Sequence, residues 1–515
     1  MSGSLSPLTN ALESPKRTSR SKFVRNVAAN LARLLIGAVI SLLLPVYLTR
    51  HLPVEIYGAW VLILQLSAYV SFLDMGIQTA VSKHVAEYDA KGDYETAGRF
   101  ASAGLIIMFA ASVLGVILTT FLSWRVPHFF QNMPASLYSD VRVSVMLIGF
   151  SLSFSLACSV FAGIFLGLQS YQIPVAISIL NRVLFALATA LAVHFQSRLA
   201  LVGAAVAFVN VFTAILQIVS WRALAKVVPV NLRQVTIKLL KKMLQYCMVL
   251  AIWSAAMLFI SGLDLTLVGH YDYSQTAYFS IAIAPTALVV VLLSAILGPF
   301  MPAASALSTT RTPDQMGEVL CRTTRYSAIV LYLTGLPLIL GGFYILKAWV
   351  GPEYATNTTV YLRILVLANM LRNFGLPYAT MVVATDKQLP ATAAPITEAI
   401  VNVTSSIWLA RHIGAAGVAL GTLLGALFSI GIHFFVSMRY TRGSLSISRL
   451  QLFTQGLLRP SVIALPTIFA LPLWWFQKAP VISLKAWTLW ACFTLLLTWF
   501  AALSRSDRAT LFRVA

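Results

Sequence analysis

The chain has 515 residues, of which 59% are apolar and only 10% are charged. A soluble protein carries about 25% charged residues, so a chain this apolar could not cover its core with polar surface in water. The composition excludes a soluble enzyme or binding domain and predicts many membrane spans. The net charge of +21 falls in short loops, which is typical of basic residues retained on the cytoplasmic side of a membrane and does not indicate a nucleic-acid partner.

The first residues, 1–22, are polar and lack the short apolar core of a cleaved signal peptide. They predict a disordered cytoplasmic tail. A bilayer core requires about 20 apolar residues per helix. The remaining chain accordingly predicts fourteen transmembrane helices, at 31–48, 57–79, 100–122, 141–168, 173–195, 200–220, 243–267, 277–300, 326–348, 360–383, 391–410, 415–438, 460–476 and 484–503.

The orientation follows from the loops between these spans. The segments on the side of the two termini hold 25 Lys and Arg residues, and the segments on the opposite side hold 7. Because basic residues are retained in the cytoplasm, this asymmetry predicts that both termini are cytoplasmic.

The longest basic loop, "WRALAKVVPVNLRQVTIKLLKKML", lies between the sixth and seventh spans. Leu232, Val235, Leu239 and Met243 recur at helical spacing, and basic side chains occupy the rest of the helical wheel. The pattern predicts that 221–242 forms an amphipathic helix on the inner membrane surface, with a plain basic linker as the alternative.

The two halves of the chain resemble each other. "QIPVAISILNR" begins the fifth span and "QLPATAAPITE" begins the eleventh, so that Arg182 and Glu398 each follow a proline by eight positions. Equivalent segments lie an even number of spans apart and therefore run in the same direction, as in transporters built from parallel repeats. The predicted fold is an all-α polytopic membrane protein with a pseudo-two-fold axis along the membrane normal. It consists of an N-lobe (23–220), the linker, a C-lobe (243–438), a cytoplasmic loop (439–459), two extra helices (460–503) and a cytoplasmic tail (504–515).

Three stretches resemble Wzx-type polysaccharide exporters of the multidrug/oligosaccharidyl-lipid/polysaccharide exporter superfamily. In "LTRHLPVEIYGAWVLILQLSAYVSFLDMGIQTAVSKHVAEYDAKGD" (48–93), an Arg ends the first helix, a Tyr-Gly opens the second and an Asp-x-Gly closes it. "LDLTLVGHYDYSQTAYFSIA" (263–282) and "ILGPFMPAASAL" (296–307) are similar to the junction of the family's seventh and eighth helices and to the end of its eighth. The chain departs from the family at "HLPVEIYG", where Leu-Gly-Pro is usual after the Arg.

The resemblance implies a flippase rather than an enzyme. Such a protein moves undecaprenyl-diphosphate-linked oligosaccharide repeat units from the cytoplasmic to the periplasmic leaflet of the bacterial inner membrane, for surface polysaccharide or exopolysaccharide synthesis. It does so by alternating access of a cationic central cavity. The implied partners are the lipid-linked oligosaccharide, membrane lipids, and a polysaccharide polymerase with its chain-length machinery. No cofactor or metal is implied, and coupling to a proton or sodium gradient is left open.

Charged residues inside the spans are the candidate site. Arg182 and Arg372 lie roughly 13–17 Å from the cytoplasmic ends of their spans, near the middle of a core about 30 Å thick. Such residues by default face the bundle interior or a wet cavity, and a guanidinium is suited to phosphate oxygens. Together with Arg33, they are predicted to bind the diphosphate. The alternative for Arg33 is an ion pair with Asp74 that ties the first two helices together.

Acidic and amide side chains complete the candidate site. The residues predicted to act in gating or coupling are Glu398, Asp74 and Asp264, although Asp264 also fits a simple helix-end charge. The residues predicted to line the cavity are Asn30, Asn369 and Asn373. In the first helix, Asn26, Asn30, Arg33, Gly37 and Ser41 form one polar, small-residue stripe that should face a partner or cavity. The repeat further predicts that Glu398 pairs with Arg182 across the pseudo-axis, and that protonation of Glu398 couples transport to the proton gradient.

Two other functions remain open at this stage. A multidrug exporter of the same superfamily would favour carboxylates over arginines at the midplane. A membrane polymerase or ligase for lipid-linked sugars often carries a large periplasmic loop, whereas the longest such connection here, 123–140, is short. No phosphate-binding G-x-x-x-x-G-K-[ST] motif is present.

Overall fold

The computed structural model describes residues 17–195, 198–297, 300–308, 310–385, 392–476, 484–504 and 507–508. Its first half is a series of long helices, because a chain in lipid must satisfy its backbone hydrogen bonds internally. These helices are α1 (Arg17–His51), α2 (Val54–Ala68), α3 (Ile77–Asp89), α4 (Tyr94–Phe129), α5 (Tyr138–Gly167), α6 (Gln172–His194) and α7 (Leu199–Leu224).

The second half continues in the same manner but with more interruptions. Its helices are α8 (Ile237–Met257), α9 (Asp264–Tyr271), α10 (Thr276–Leu297), α11 (Phe300–Ser308), α12 (Pro313–Val350), α13 (Pro352–Phe374), α14 (Leu376–Ala384), α15 (Ala393–Ile413), α16 (Ala415–Ile432), α17 (Leu465–Phe476) and α18 (Leu484–Leu497).

The predicted all-α class is confirmed, since no strand occurs in the described residues. Among these residues, eleven helices are long and apolar enough to cross a membrane, so the chain is a multi-pass membrane protein. The predicted tenth, eleventh and fourteenth spans are also helical. The tenth span corresponds to α13 together with α14, the eleventh to α15 and the fourteenth to α18. These helices are too short or too polar to be counted among the eleven.

Several predicted spans are not single α-helices. The second is interrupted by a 3₁₀ turn at Tyr69–Asp74, after which Met75 and Gly76 adopt positive φ angles of 45° and 77°. Glycine tolerates this conformation without a steric cost, which explains why the Asp-x-Gly motif ends the helix. The seventh span contains a π-helical turn at Leu258–Gly262, between α8 and α9. Sequence periodicity did not predict these breaks.

Two polar segments differ from their predictions. Helix α1 already begins at Arg17, inside the predicted disordered tail, and residues 1–16 lie outside the described residues. The predicted amphipathic linker helix is wrong as a single helix: between Leu224 and Ile237 only a 3₁₀ turn at Leu232–Gln234 is present. The reason is tertiary packing, because Ala225 and Val228 are fully buried in the apolar core of the first unit defined below.

The chain forms two compact units. Unit 1 comprises Met1–His51, Leu66–Val126 and Ser139–Ile252, and unit 2 comprises Leu52–Gln65, Pro127–Tyr138 and Trp253–Ala515. Two segments of the predicted N-lobe, Leu52–Gln65 and Pro127–Tyr138, therefore belong to unit 2.

Small residues allow helices to pack closely within each unit. A Cβ atom at Gly203 of α7 would lie 2.8 Å from the Ser144 Cβ of α5, and a Cβ at Gly421 of α16 would collide with Ser406 of α15. Close backbone approach at Gly and Ser is the usual way in which transmembrane helices associate, because lipid provides no hydrophobic driving force between them.

A buried ion cluster holds the C-terminal segment of the chain in unit 2. Asp507, 1% exposed, accepts hydrogen bonds from Tyr326 at 2.9 Å and from the backbone of Ser504 at 3.0 Å. It also pairs with Arg325 and, at 2.9 Å, with Arg322 of α12. Burial alone would raise the pKa of Asp507, but the hydrogen bonds from Ser504 and Tyr326 and the charge of Arg325 hold this pKa at about 2.

We expect Asp507→Asn to lower the free energy of unfolding by about 3–5 kcal/mol, because Arg325, which is 7% exposed, would keep a buried charge without its counter-ion. Thermal melting of the detergent-purified protein measures this loss. The matched control is Asp314→Asn, at an exposed carboxylate in the first turn of α12. Since the folded-state pKa lies below the ordinary value, the stabilisation by Asp507 should be present above about pH 4 and decline as the pH falls toward 2. Equal melting temperatures for D507N and D314N would contradict the assignment.

Candidate functional site

Arg182 of unit 1 lies against the backbone of α1. Its guanidinium occupies the space above Gly37, where a Cβ atom would overlap it. Arg182 is exposed, and no hydrogen bond or ion pair joins it to the part of the chain that the structure describes. A span of 23 residues thus carries, near its middle, a charged donor group that no carboxylate of the described residues neutralises.

A network of amide and hydroxyl groups fixes the rotation of α6 and thereby the direction of Arg182. Asn181 donates to the Asn210 side chain at 3.2 Å and to Thr213 at 2.9 Å, both on α7. Asn210 in turn donates to Ser151 of α5 at 3.1 Å. Because consecutive helical residues point about 100° apart, anchoring Asn181 toward α7 directs Arg182 elsewhere, onto α1. Sequence reasoning missed Asn181 and Asn210, although both interrupt apolar runs.

An apolar groove adjoins Arg182 on the same two helices. It measures about 370 Å³ and is lined by Leu35, Ile36, Val39 and Ile40 of α1 and by Val183, Ala186 and Leu187 of α6. Gly37, on which the Arg182 guanidinium packs, lies between the groove residues Ile36 and Val39 in the sequence. Val183, which also lines the groove, directly follows Arg182. Unit 1 therefore combines a cationic donor group with an apolar groove, a pairing suited to an amphiphilic anion.

The other predicted residues of unit 1 have different surroundings. Arg33 lies half-buried one helical turn before Gly37 on the same face of α1. Asp74 ends the 3₁₀ turn and accepts a hydrogen bond from the Gln78 backbone at 3.4 Å, and none of the described ion pairs joins it to Arg33. The side chain of Asn30 lies outside the described part of the chain.

A cavity of about 520 Å³ lies within unit 2. Five of the predicted site residues line it: Arg372, Asn369 and Asn373 of α13, Glu398 of α15 and Asp264 of α9. The structure thus brings the unit 2 members of the candidate set together around one space. Its other polar lining residues, which sequence reasoning missed, include Thr422 and His433.

Arg372 and Glu398 form an ion pair through the guanidinium Nε and a carboxylate oxygen. Glu398 is 2% exposed, so the pair is shielded from bulk water. The terminal Nη2 of Arg372 is buried and lacks a hydrogen-bond partner among the described residues, which leaves donor capacity next to the cavity. In this structure Glu398 is held by a residue of its own unit, and the pair that the repeat predicts between Glu398 and Arg182 stays a prediction.

Asp264 begins α9, with one residue between it and the π-helical turn that ends at Gly262, and it is 6% exposed. Its carboxylate accepts a hydrogen bond from Thr422 of α16 at 3.1 Å. The π turn leaves backbone carbonyls available for side chains: Asn402 donates to Ile260 and Gln65 donates to Gly262, each at 2.5 Å. Such turns are often found at functional sites, and here one positions a carboxylate beside the cavity.

The cavity of unit 2 is not cationic. Among its described lining residues, two carboxylates, Asp264 and Glu398, accompany one guanidinium, Arg372. His433 is the one further titratable side chain in this described set. The amides of Asn369 and Asn373 both donate to backbone carbonyls of their own helix, at 3.0 and 2.7 Å. The predicted site residues therefore fall into a cationic set in unit 1 and a mainly acidic set in unit 2.

Unit 2 also contains a tightly packed aromatic layer, which we call the tyrosine seal: Tyr57 of α2, Tyr273 and Tyr278 near the start of α10, and Tyr354 of α13. The rings of Tyr57 and Tyr354 meet edge to face, with centroids 6.3 Å apart, and those of Tyr278 and Tyr354 are 5.2 Å apart. Tyr273 donates to the backbone carbonyl of Glu55 at 2.7 Å. Because the predicted topology places these helix ends on the periplasmic side, the tyrosine seal occupies the predicted outer face.

Comparison with solved structures identifies the fold. The lipid II flippase MurJ in an inward closed conformation matches with a TM-score of 0.68 and 13% identity, over 92% of this chain and 98% of that chain. An inward-facing multidrug resistance MATE family transporter of the MOP superfamily matches with a TM-score of 0.66 and 15% identity, over 80% and 97%. A MATE transporter in complex with MaL6 gives 0.55 and 18%, over 81% and 95%. No protein-family model and no curated protein sequence matches the chain.

The chain is therefore a multi-pass membrane protein with the fold shared by this lipid II flippase and by transporters of the MOP superfamily. The Wzx-type specificity implied by the three sequence stretches stays a prediction.

Proposed function

We propose that the protein is a flippase for undecaprenyl-diphosphate-linked oligosaccharides, acting from the cytoplasmic to the periplasmic leaflet of the bacterial inner membrane, with both termini cytoplasmic. The observation that carries the proposal is Arg182, a guanidinium without a carboxylate partner in the described residues, seated on Gly37 beside an apolar groove. A diphosphate requires charge-assisted donors in a low-dielectric region, and its polyprenyl tail requires an apolar path. Arg182 and the groove supply both on two adjacent helices.

A clean deletion in the native host tests the function. We expect complete oligosaccharide repeat units to accumulate on their polyprenyl carrier inside the cell, while surface or secreted polymer is lost. Extraction of lipid-linked oligosaccharides and a polymer assay measure these two quantities. Single repeat units that reach the outer leaflet but never lengthen would instead indicate a polymerase or ligase.

A multidrug exporter is the second candidate, and the acidic cavity of unit 2 favours it. Asp264 and Glu398 beside about 520 Å³ of space would suit a cationic drug. Normal polymer in the deletion strain, together with altered tolerance to cationic compounds, would support drug export. The same result would contradict the proposed role of Arg182 in binding a diphosphate.

For the flippase, we assign the acidic set of unit 2 to coupling. A proton on Asp264 or Glu398, or a sodium ion among their oxygens and that of Thr422, would change the charge that Arg372 experiences and so release or retain its ion pair. Arg372 would then be available to the cargo diphosphate only in one coupling state. Transport in proteoliposomes with an imposed proton or sodium gradient distinguishes the two ions.

Alternating access requires the tyrosine seal to open, which gives a crosslinking prediction. A Cβ atom at Gly58 would lie 3.9 Å from that of Ala277, within the usual range for a disulfide. On a background without the four native cysteines, oxidation of G58C/A277C should stop transport, and reductant should restore it. The control pair V81C/G163C, with 3.3 Å between the corresponding Cβ atoms inside unit 1, should crosslink without stopping transport. Undiminished transport by fully crosslinked G58C/A277C would rule out opening at this layer.

A further inference from the structure

A second, separate pocket lies in unit 1, between the first turns of α4 and α8. It measures about 320 Å³, and its lining includes Arg99 and Phe100 of α4 and Lys238 and Lys242 of α8. Both helices begin on the side of the membrane that the loop charges predict to be cytoplasmic. The pocket is formed because the linker before α8 packs back onto unit 1, where Ala225 and Val228 are buried.

The charge of this pocket is positive. Lys238 and Lys242 are one helical turn apart, both are exposed, and none of the ion pairs found in the described part of unit 1 involves them. Lys242 instead lies over the ring of Phe100, with its Nζ 5.3 Å from the ring centre. An aromatic face holds an ammonium group without neutralising it. The two lysines are therefore available to an external anion.

The nearby acidic side chains are already engaged. Glu95 pairs with Arg99 at 2.7 Å, and Asp93 accepts a hydrogen bond from the Thr96 backbone at 3.0 Å, as a cap of α4. The first turns of α4 and α8 both adjoin the pocket, and the partial positive charge of a helix N-terminus adds to that of the lysines.

The surroundings of the pocket indicate which anion it binds. Ile237, next to Lys238, is 80% exposed, and further along α8 Leu244 and Met248 are 51% and 58% exposed. These three apolar side chains lie on one face of the helix and lead from the pocket into the predicted seventh span. A site at the edge of such a face lies at the level of lipid headgroups, where basic pockets between membrane helices bind anionic lipids.

We propose that the pocket between α4 and α8 binds the phosphate headgroup of an anionic phospholipid of the inner leaflet. The lipid phosphate lies between Lys238, Lys242 and Arg99, and its acyl chains lie along Ile237 and Leu244. The bound lipid joins the linker to α4 and makes the stability of the protein depend on membrane composition.

The test uses the full-length protein purified in detergent and titrated with short-chain phosphatidylglycerol or phosphatidylcholine, with the melting temperature as the readout. We expect phosphatidylglycerol to raise the melting temperature saturably and phosphatidylcholine to have little effect. The variant K238Q/K242Q should weaken the apparent affinity for phosphatidylglycerol about thirtyfold, since each lysine contributes roughly fivefold.

The matched control is K226Q/K241Q, which removes the same charge from exposed lysines of the same segment that do not line the pocket. The control should keep the wild-type affinity. Equal weakening in both double variants would overturn the proposal, because it would indicate diffuse attraction rather than a site. The same stabilisation by inorganic phosphate, lost in K238Q/K242Q, would overturn the lipid assignment in favour of a soluble anion.

Discussion

Replacing Arg182 by glutamine should lower export at least tenfold while leaving the protein folded. The guanidinium would contribute charge-assisted hydrogen bonds to the diphosphate, each worth about 1.5–3 kcal/mol, so transport should fall at least tenfold and by about a hundredfold if two bonds are lost. Stability should change little, since no described carboxylate pairs with Arg182 and none would be left unpaired. Complementation of the deletion strain, with immunoblots of membrane-inserted protein, measures both quantities.

Two further variants separate charge from geometry. Arg182→Lys keeps the charge but loses the planar fork of donors, so it should retain only part of the transport. Gly37→Leu keeps Arg182 but fills the space that its guanidinium occupies, so it should impair transport nearly as much as R182Q. Arg50→Gln, at the exposed end of α1, is the control and should behave like wild type. Full export by R182Q at normal membrane levels would show that Arg182 does not contact cargo.

The second large effect is expected at the ion pair of unit 2. Arg372→Gln should lower the free energy of unfolding by about 3–5 kcal/mol, because it leaves Glu398, which is 2% exposed, as a buried charge without its partner. Glu398→Gln should cost less, because the Arg372 side chain that loses its partner is partly exposed. The double variant R372Q/E398Q removes both charges and should recover much of that stability. It should nevertheless remain inactive in transport, because the arginine that the coupling step makes available to the cargo diphosphate is absent.

Melting temperatures of the four proteins form a double-mutant cycle that isolates the interaction energy. The control is Arg363→Gln, also on α13, whose guanidinium donates to the Ile339 carbonyl at 2.9 Å and does not line the cavity. It should retain transport. Wild-type transport by R372Q/E398Q would contradict the assigned coupling role and leave the pair a purely structural one.

The spans were predictable because they depend on composition and length. An apolar run of about 20 residues in lipid has few alternatives to a helix. Helices α5 to α7 begin and end within four residues of the predicted spans, whereas α4 extends six and seven residues beyond its predicted span. The interruptions were not predictable in this way. The carbonyls of Ile260 and Gly262, in the π turn at Leu258–Gly262, accept hydrogen bonds from the side chains of Asn402 and Gln65. These donors are distant in the sequence, so the local pattern of residues does not predict the turn.

The site was predictable as a set of residues but not as a set of contacts. A charge in mid-span is unusual enough to single out Arg182, Arg372 and Glu398 from one sequence. Their partners depend on which faces of neighbouring helices meet. The repeat predicted Arg182 as a partner of Glu398, and that pair stays a prediction. It did not predict the ion pair of Glu398 with Arg372, which lies 26 residues away in the sequence. Asn181 was missed because its role is to orient Arg182 rather than to carry charge.

The buried carboxylate of Asp507 has a consequence for biosynthesis. Arg325 precedes it by 182 residues, so at about 5–20 residues per second the ribosome delivers the counter-ion on the order of ten to forty seconds after the arginine. During that interval Arg325 must remain hydrated or be shielded by the insertion machinery. The contact between the last helices and α12 is complete only after Asp507 has been synthesised, so a nascent chain released before Asp507 would present an unpaired arginine to quality-control proteases.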